Sequence, residues 1–447
     1  MRGLVLRNVV HQSWLVSVAG QDGGVLVDPL MCGSFGSSGS IRFGEQPELV
    51  LPEGTMTGLD AIVVTSPHCD HLDIPSIRRA RAASPRCPLL ASAMLPSHSR
   101  RALAVAAEDA IAVPRTSFAQ LGGFKIGFSP AEYSGHPWER GAHHLVVSAE
   151  GESVLFVSDG GPPTRDGIQA LWEQLGKPRL SAVLLADNSY IRGGRRAGLF
   201  KNENGRGAPS MLDCVSGQCE MGLRHLPNEP SLVVLAGSGF AAADHHGIAR
   251  FDAWNVGALA QLETRWPLRH SAPGDGFAIE AGLASDLGPG VTSSPLALAV
   301  PQEDSDVPDG TERRLLDALR VPFLLSGLGR GAVFCNQIGE RRFGPVRLAI
   351  RLTSAYHATR CFGLDLARAE FVPLPSLPAG CDTEAYPFGL EIPISWLLAI
   401  LKGELGVWDA SISDRTRQWF VGSHSPLSVL AALMSASVSP QGLRGLR

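Results

Sequence analysis

The residues with the sharpest chemistry are His68, Asp70 and His71, in the order His68-x-Asp70-His71. They close the segment Thr65-Ser66-Pro67-His68-Cys69-Asp70-His71, directly after the apolar run Ala61-Ile62-Val63-Val64. Two imidazoles and a carboxylate on one tight loop can converge on a divalent cation, and zinc, iron and manganese all take such donors. Geometry rather than raw affinity chooses among them. A polar loop whose histidines cap the following helix fits the same residue types equally well. Cys69 lies between two of these residues, where it either adds a thiolate or fills space.

The elements that must position this loop read as alternating strands and helices. Trp14 to Val18 and Val25 to Val27 flank the turn Gly20-Gln21-Asp22-Gly23-Gly24, a hairpin signal, and Asp28-Pro29 ends the second strand. Residues 34–51 read as a long loop rich in Gly, Ser and Pro. Ala61 to Val64 is a continuous apolar run and reads as a strand buried on both faces. Ile74 to Ala83 has helical character, and Pro88 to Ala91 reads as the next strand. Phe124 to Phe128 alternates like an exposed strand. Glu150-Gly151-Glu152 joins two more strands, the second delivering Ser158-Asp159-Gly160-Gly161. Leu180 to Ala186 ends at Asp187, and Leu232 to Ala236 ends at Gly237. The recurring unit is an apolar strand with a polar residue at its C-terminal end, where open α/β sheets place ligands. Residues 204–216 and 272–308 are weakly patterned. Beyond them, Val346 to Leu352 reads as a strand and Ile394 to Leu405 as a helix. The expected division is 1–270, a linker or excursion over 271–309, and a smaller α+β domain over 310–447.

Composition bounds the function. At ~150 residues per domain, 447 residues make two or three units. Hydrophobic residues at 44% and charged residues at 18% support a sizeable core and exclude a largely disordered chain. The net charge of −4, from 39 basic and 43 acidic residues, gives no basic excess for nucleic acid or an anionic membrane. Fifty glycines and 32 prolines point to many turns and few long helices. No stretch approaches the ~18 apolar residues that span a bilayer. Eight scattered cysteines do not form a disulfide framework, and Cys214-x4-Cys219 lacks zinc-ribbon spacing, so both read as free thiols. A reducing cytoplasm is the expected compartment.

Val64 to Leu72 resembles the HxHxDH motif of the metallo-β-lactamase superfamily, and Val27-Asp28-Pro29 resembles the Asp-Pro after its first hairpin. The resemblance implies an α/β fold, a metallo-β-lactamase-like αββα sandwich, here followed by the C-terminal α+β domain. It makes Asp28 a supporting residue behind the ligands. The family's first histidine falls on Ser66, so one site of the usual dinuclear pair loses an imidazole. Asp70, His71, a bridging carboxylate and a late histidine would make the second site. The resemblance places the bridging carboxylate on Asp159, the third-motif ligand on His136 or else Glu132, and the late ligand on His245 with His246 behind it. Asp187 is a further candidate near the ion. An Asp-Gly-Gly turn and a solvated histidine pair are the plainer readings of Asp159 and His245-His246.

A closer resemblance is to the CMP-sialic acid hydroxylase group. It is carried by Asp28-Pro29-Leu30, Gly33, Phe35, Ser66 to Leu72 with Pro75, Ala236-Gly237, Asp244-His245 and Glu391 to Leu405. The Cys-x-His…Cys-x-x-His pair of that hydroxylase's Rieske domain does not occur in this sequence, so its reaction is not carried over. Weaker signals surround the expected mouth. Tyr133, His144 and Tyr190 could line it, and Arg192, Arg195 and Arg196 could hold a carboxylate or phosphate, although packing and solvated loops explain them as well. Three functions follow. The first is a hydrolase of a small metabolite, using water activated by one or two zinc or iron ions, with Asp70 as ligand and proton acceptor. The second is a non-haem iron or di-iron oxygenase or oxidase, drawing electrons from substrate or a separate reductase. The third is a degenerate, non-catalytic binding module.

Overall fold

A computed structural model of the chain describes residues 3–32, 34–35, 41–42, 45–47, 56–68, 70–95, 99–100, 103–104, 109–132, 143–158, 161–186, 201–202, 211–236, 266–271, 274–289, 293–295, 348–354, 359–365, 370–374, 388–402 and 417–420. Its first sheet has eight strands in the order Leu283–Pro289, Asp275–Glu280, Leu4–Val10, Ser13–Val18, Gly24–Val27, Leu59–Val64, Leu89–Ser92, Ile111–Val113. The first five run antiparallel and the remainder join in parallel. The expected hairpin at residues 14–27 is present. Gly20 and Gly23 turn the chain with φ of 71° and 99°, which other residues adopt only under strain. Residues 275–289, read from the sequence as part of a linker, instead form a hairpin on the edge of this sheet. Leu4 pairs with Ile279, 275 positions away in sequence, so no local pattern announces the contact.

The second sheet has seven strands in the order Phe118–Leu121, Phe124–Pro130, His143–Ala149, Glu152–Val157, Arg179–Ala186, Leu232–Ala236, Leu268–His270. The turn at Glu150-Gly151 has φ of 54° and 83°, the pair of positive values that a tight right-twisted hairpin needs. Phe124–Pro130 is not the exposed strand its alternation suggests. Its outer face lies beneath helix Arg165–Leu175, and a β-carbon at Gly127 would lie 2.5 Å from Leu171 Cδ1. The glycine that breaks the apolar pattern is what lets the helix approach.

The two sheets pack face to face. Leu6, Trp14, Val16, Val27 and Val63 of the first meet Ile126, Phe128, Leu145, Val147 and Phe156 of the second. Helix Arg165–Leu175 covers the outer face of the second sheet with Ile168, Leu171, Trp172 and Leu175. Helix Ile74–Ala83 crosses between the parallel strands Leu59–Val64 and Leu89–Ser92 and buries Ile77 and Ala80. The helix–sheet–sheet–helix layering is the expected αββα sandwich of the metallo-β-lactamase fold. A third sheet pairs Lys201–Asn202, Arg417–Phe420, Phe388–Pro393, Leu348–Thr353, Arg360–Asp365 and Glu370–Leu374 in that order, with helix Ile394–Lys402 following directly. Helix Met211–Gly222 falls partly in a segment read as weakly patterned. Among the described residues no helix is long and apolar enough to cross a membrane.

Helix Ile74–Ala83 begins where the candidate loop ends. Its cap is Asp73, whose carboxylate accepts the Ser76 amide at 3.0 Å, with a proline in the first turn. The reading of His68 and His71 as caps is thereby excluded. Asp73→Ala should cost about 1 kcal/mol of stability in thermal or denaturant unfolding, whereas His68→Ala should leave it within ~0.5 kcal/mol.

Candidate metal centre

The centre of the site is a carboxylate. Asp28 ends strand Gly24–Val27 and is buried. Its Oδ1 accepts the Thr65 amide at 2.8 Å. Its Oδ2 accepts the Thr65 hydroxyl at 2.6 Å and faces His71 Nδ1 at 2.7 Å. An ionised carboxylate only accepts, so the His71 ring carries its hydrogen on Nδ1 and its Nε2 is unprotonated. That Nε2 lies 3.8 Å from Asp70 Oδ2 within the same loop. Two Lewis bases converging without a hydrogen between them suit a cation, and a carboxylate behind the histidine raises its basicity as a ligand. An imidazole nitrogen and a carboxylate oxygen are donors of the type that divalent ions take.

The loop itself is a compact turn. His71 and Leu72 amides both donate to the His68 carbonyl, at 3.1 and 2.7 Å. His68 is half-buried, with its ring edge-on to His71 at 6.4 Å between centroids. Ser66 is fully buried and accepts the His68 amide at 3.3 Å, so its hydroxyl closes the turn. Thr65 joins the two sheets. Its hydroxyl proton goes to Asp28, so it accepts from Ser158 at 2.9 Å, and its carbonyl accepts the His143 amide at 3.1 Å. Ser158 ends strand Glu152–Val157 and immediately precedes Asp159.

One contact escaped the sequence reading. His11 Nε2 lies 3.1 Å from Asp70 Oδ2, across 59 residues. A lone histidine in a hairpin turn carries no spacing signal, and only its place beside strand ends that gather polar residues could have marked it. Asp28 also lines a small cavity with Gln12, Trp14 and Ser158, with room for about one water molecule.

His144, expected at the mouth, is instead fully buried on strand His143–Ala149. Its Nε2 donates to the Gly161 carbonyl at 3.0 Å. Burial pushes its pKa down from 6.5 to about 4. It thus clamps the turn that follows Asp159. The Glu132 amide donates to Pro162 at 2.7 Å, and a β-carbon at Gly161 would collide with the Glu132 carbonyl. Glu132 thereby abuts the same turn, with its side chain exposed. His136, Asp159, Asp187, His245, His246, Cys69, Tyr133, Tyr190, Arg192, Arg195 and Arg196 lie outside the described residues. Among the described residues no three His, Cys, Asp or Glu side chains complete an ion site.

With this geometry in hand, comparison with known proteins places residues 24–192 as a match to the family model described as beta-lactamase superfamily domain. The match spans Asp28, the His68–His71 loop and the strand leading to Asp159. No curated protein matches the chain significantly. Similar solved structures include Igni18, a metallo hydrolase from Ignicoccus hospitalis, at 15% identity and TM-score 0.37, covering 62% of this chain and 99% of that one. The metallo-beta-lactamase fold protein YhfI from Bacillus subtilis is 12% identical with TM-score 0.36, covering 62% of this chain and 99% of its own. CmlA, a diiron beta-hydroxylase from Streptomyces venezuelae, is 16% identical with TM-score 0.32, over 52% of this chain and 44% of that one.

Between pH 6.5 and about 4 the unfolded chain takes up a proton on His144 that the folded chain refuses. Its contribution is complete above the unfolded pKa and is lost as pH falls through that window, by up to ~3 kcal/mol. Denaturant unfolding at neutral and at mildly acidic pH should show His144→Gln losing less stability than the parent on acidification.

Proposed function

We propose that this chain is a metal-dependent hydrolase of a small metabolite, its ion held by His68, Asp70, His71, His136, Asp159 and His245. The observation that carries the reading is the tautomer lock on His71, with Asp28 on Nδ1 at 2.7 Å and Asp70 facing Nε2. Ser158 bonding into the same network supports its neighbour Asp159 as the bridging carboxylate. A divalent cation bound here would supply a water of pKa near ~7 and polarise a carbonyl or phosphoryl oxygen. The chain's own groups do the remainder. Asp28 and Thr65 hold His71 in one orientation, and Asp70, at 18% side-chain exposure, can take a proton from the reacting side. Eight scattered cysteines, spaced unlike a disulfide framework, support a reducing compartment, the cytoplasm.

One observation favours a second reading. Glu132 abuts the turn after Asp159, and a carboxylate-rich set suits iron. That would make the chain a non-haem iron oxygenase of the kind the CMP-sialic acid hydroxylase resemblance suggests, with electrons from substrate or a separate reductase.

Metal analysis of protein purified without added metal separates the two. Zinc without oxygen uptake is expected, and iron with oxygen consumption would move the assignment to the oxygenase. Asp159→Ala should weaken metal binding at least tenfold, about 1.4 kcal/mol. Unchanged stoichiometry and affinity would remove Asp159 from the site.

A further inference from the structure

His11 occupies a place where an imidazole is costly. Val10 pairs with Ser13, so His11 and Gln12 are the two residues of a hairpin turn. The His11 φ is 54°, a value that turns usually assign to glycine or asparagine. The turn is also not at the surface. His11 is 1% exposed and Gln12 6%, and Asn8 donates its side-chain amide to the His11 carbonyl at 3.3 Å. A left-handed, buried imidazole at a hairpin tip persists only where its surroundings hold it, and such residues gather at functional sites.

Its Nε2 points at Asp70 Oδ2 from 3.1 Å. The carboxylate can only accept, so the hydrogen lies on His11 Nε2 and is donated. The same Oδ2 is 3.8 Å from the unprotonated Nε2 of His71. Asp70 is thus approached on one oxygen by a donor and by a lone pair. A hydrogen bond to that oxygen restricts the Asp70 carboxylate about its terminal torsion, which is intrinsically broad.

We infer that His11 is a positioning residue for Asp70. Its N–H holds the carboxylate so that the remaining oxygen lone pairs and His71 Nε2 face a common point, where a divalent cation is bound. Partners behind metal ligands do this in other sites and their loss weakens binding 10–100-fold. The role rests on the metal-centre reading above.

The test uses the full chain and zinc as the probe, with affinity read by competition against a chromophoric chelator and melting temperature read with and without zinc. His11→Gly relieves the backbone and removes the donor. It should lose at least tenfold in zinc affinity while the metal-free melting temperature stays level or rises. His11→Gln, which keeps an N–H donor, should stay within about threefold of the parent. Wild-type affinity in His11→Gly overturns the inference, as do equal losses in the Gly and Gln variants, which would make the imidazole itself the requirement. If His11→Gly does not fold, His11→Leu replaces it with the same loss of zinc affinity expected, read against its own metal-free melting temperature, which the left-handed φ lowers. Asp70→Ala keeps the two claims apart. Undiminished zinc binding there sinks the metal centre as a whole, whereas loss there with none at His11 sinks only the role of His11.

Discussion

The contact between Asp28 and His71 organises the rim of the sandwich. A buried carboxylate is tolerated only with donors around it, and Asp28 has the Thr65 amide, the Thr65 hydroxyl and the His71 ring. These bring together the ends of two adjacent strands and the loop between the second strand and its helix. Ser158 extends the network to the opposite sheet through Thr65. Removing one member would cost its neighbours a buried partner, so the set behaves as one unit rather than a sum of pairs. Asp28 also holds φ at 45°. Backbone strain of this kind is sustained by the surrounding order, and both strained residues of the rim, Asp28 and His11, face the candidate loop.

The architecture explains why chemistry collects here. Strands Gly24–Val27, Leu59–Val64 and Glu152–Val157 are packed on both faces, so each can carry a polar side chain only where it leaves the sheet. The first polar residues past those ends are Asp28, Thr65 and Ser158, and they find one another. The apolar core between the sheets thus leaves Asp28, Thr65 and Ser158 together at one edge.

This logic was readable from sequence wherever the signal is local. Asp28 and the His68–His71 loop stand at the ends of continuous apolar runs. Helix Ile74–Ala83 has a cap, an early proline and an apolar face within a dozen residues. The misreadings share a cause. Phe124–Pro130 alternates because Gly127 leaves room for Leu171, which belongs to a helix some forty residues on. The hairpin 275–289 lacks an apolar run because Leu4 and its neighbours complete its environment. His11 is informative only through Asp70, which sequence spacing does not connect to it. Asp159, His136 and His245, which lie outside the described residues, rest on resemblance alone because they share no spacing of their own.

The described polar contacts around the loop gather on Asp70 and His71. Ser66, standing where the family pattern has an imidazole, spends its hydroxyl on the backbone of His68. On the other side, His71 is backed by Asp28 and Thr65, and Asp70 is met by His11. Orientation of a ligand by buried partners is what lowers the entropy lost when an ion is bound, and here that preparation is concentrated on Asp70 and His71.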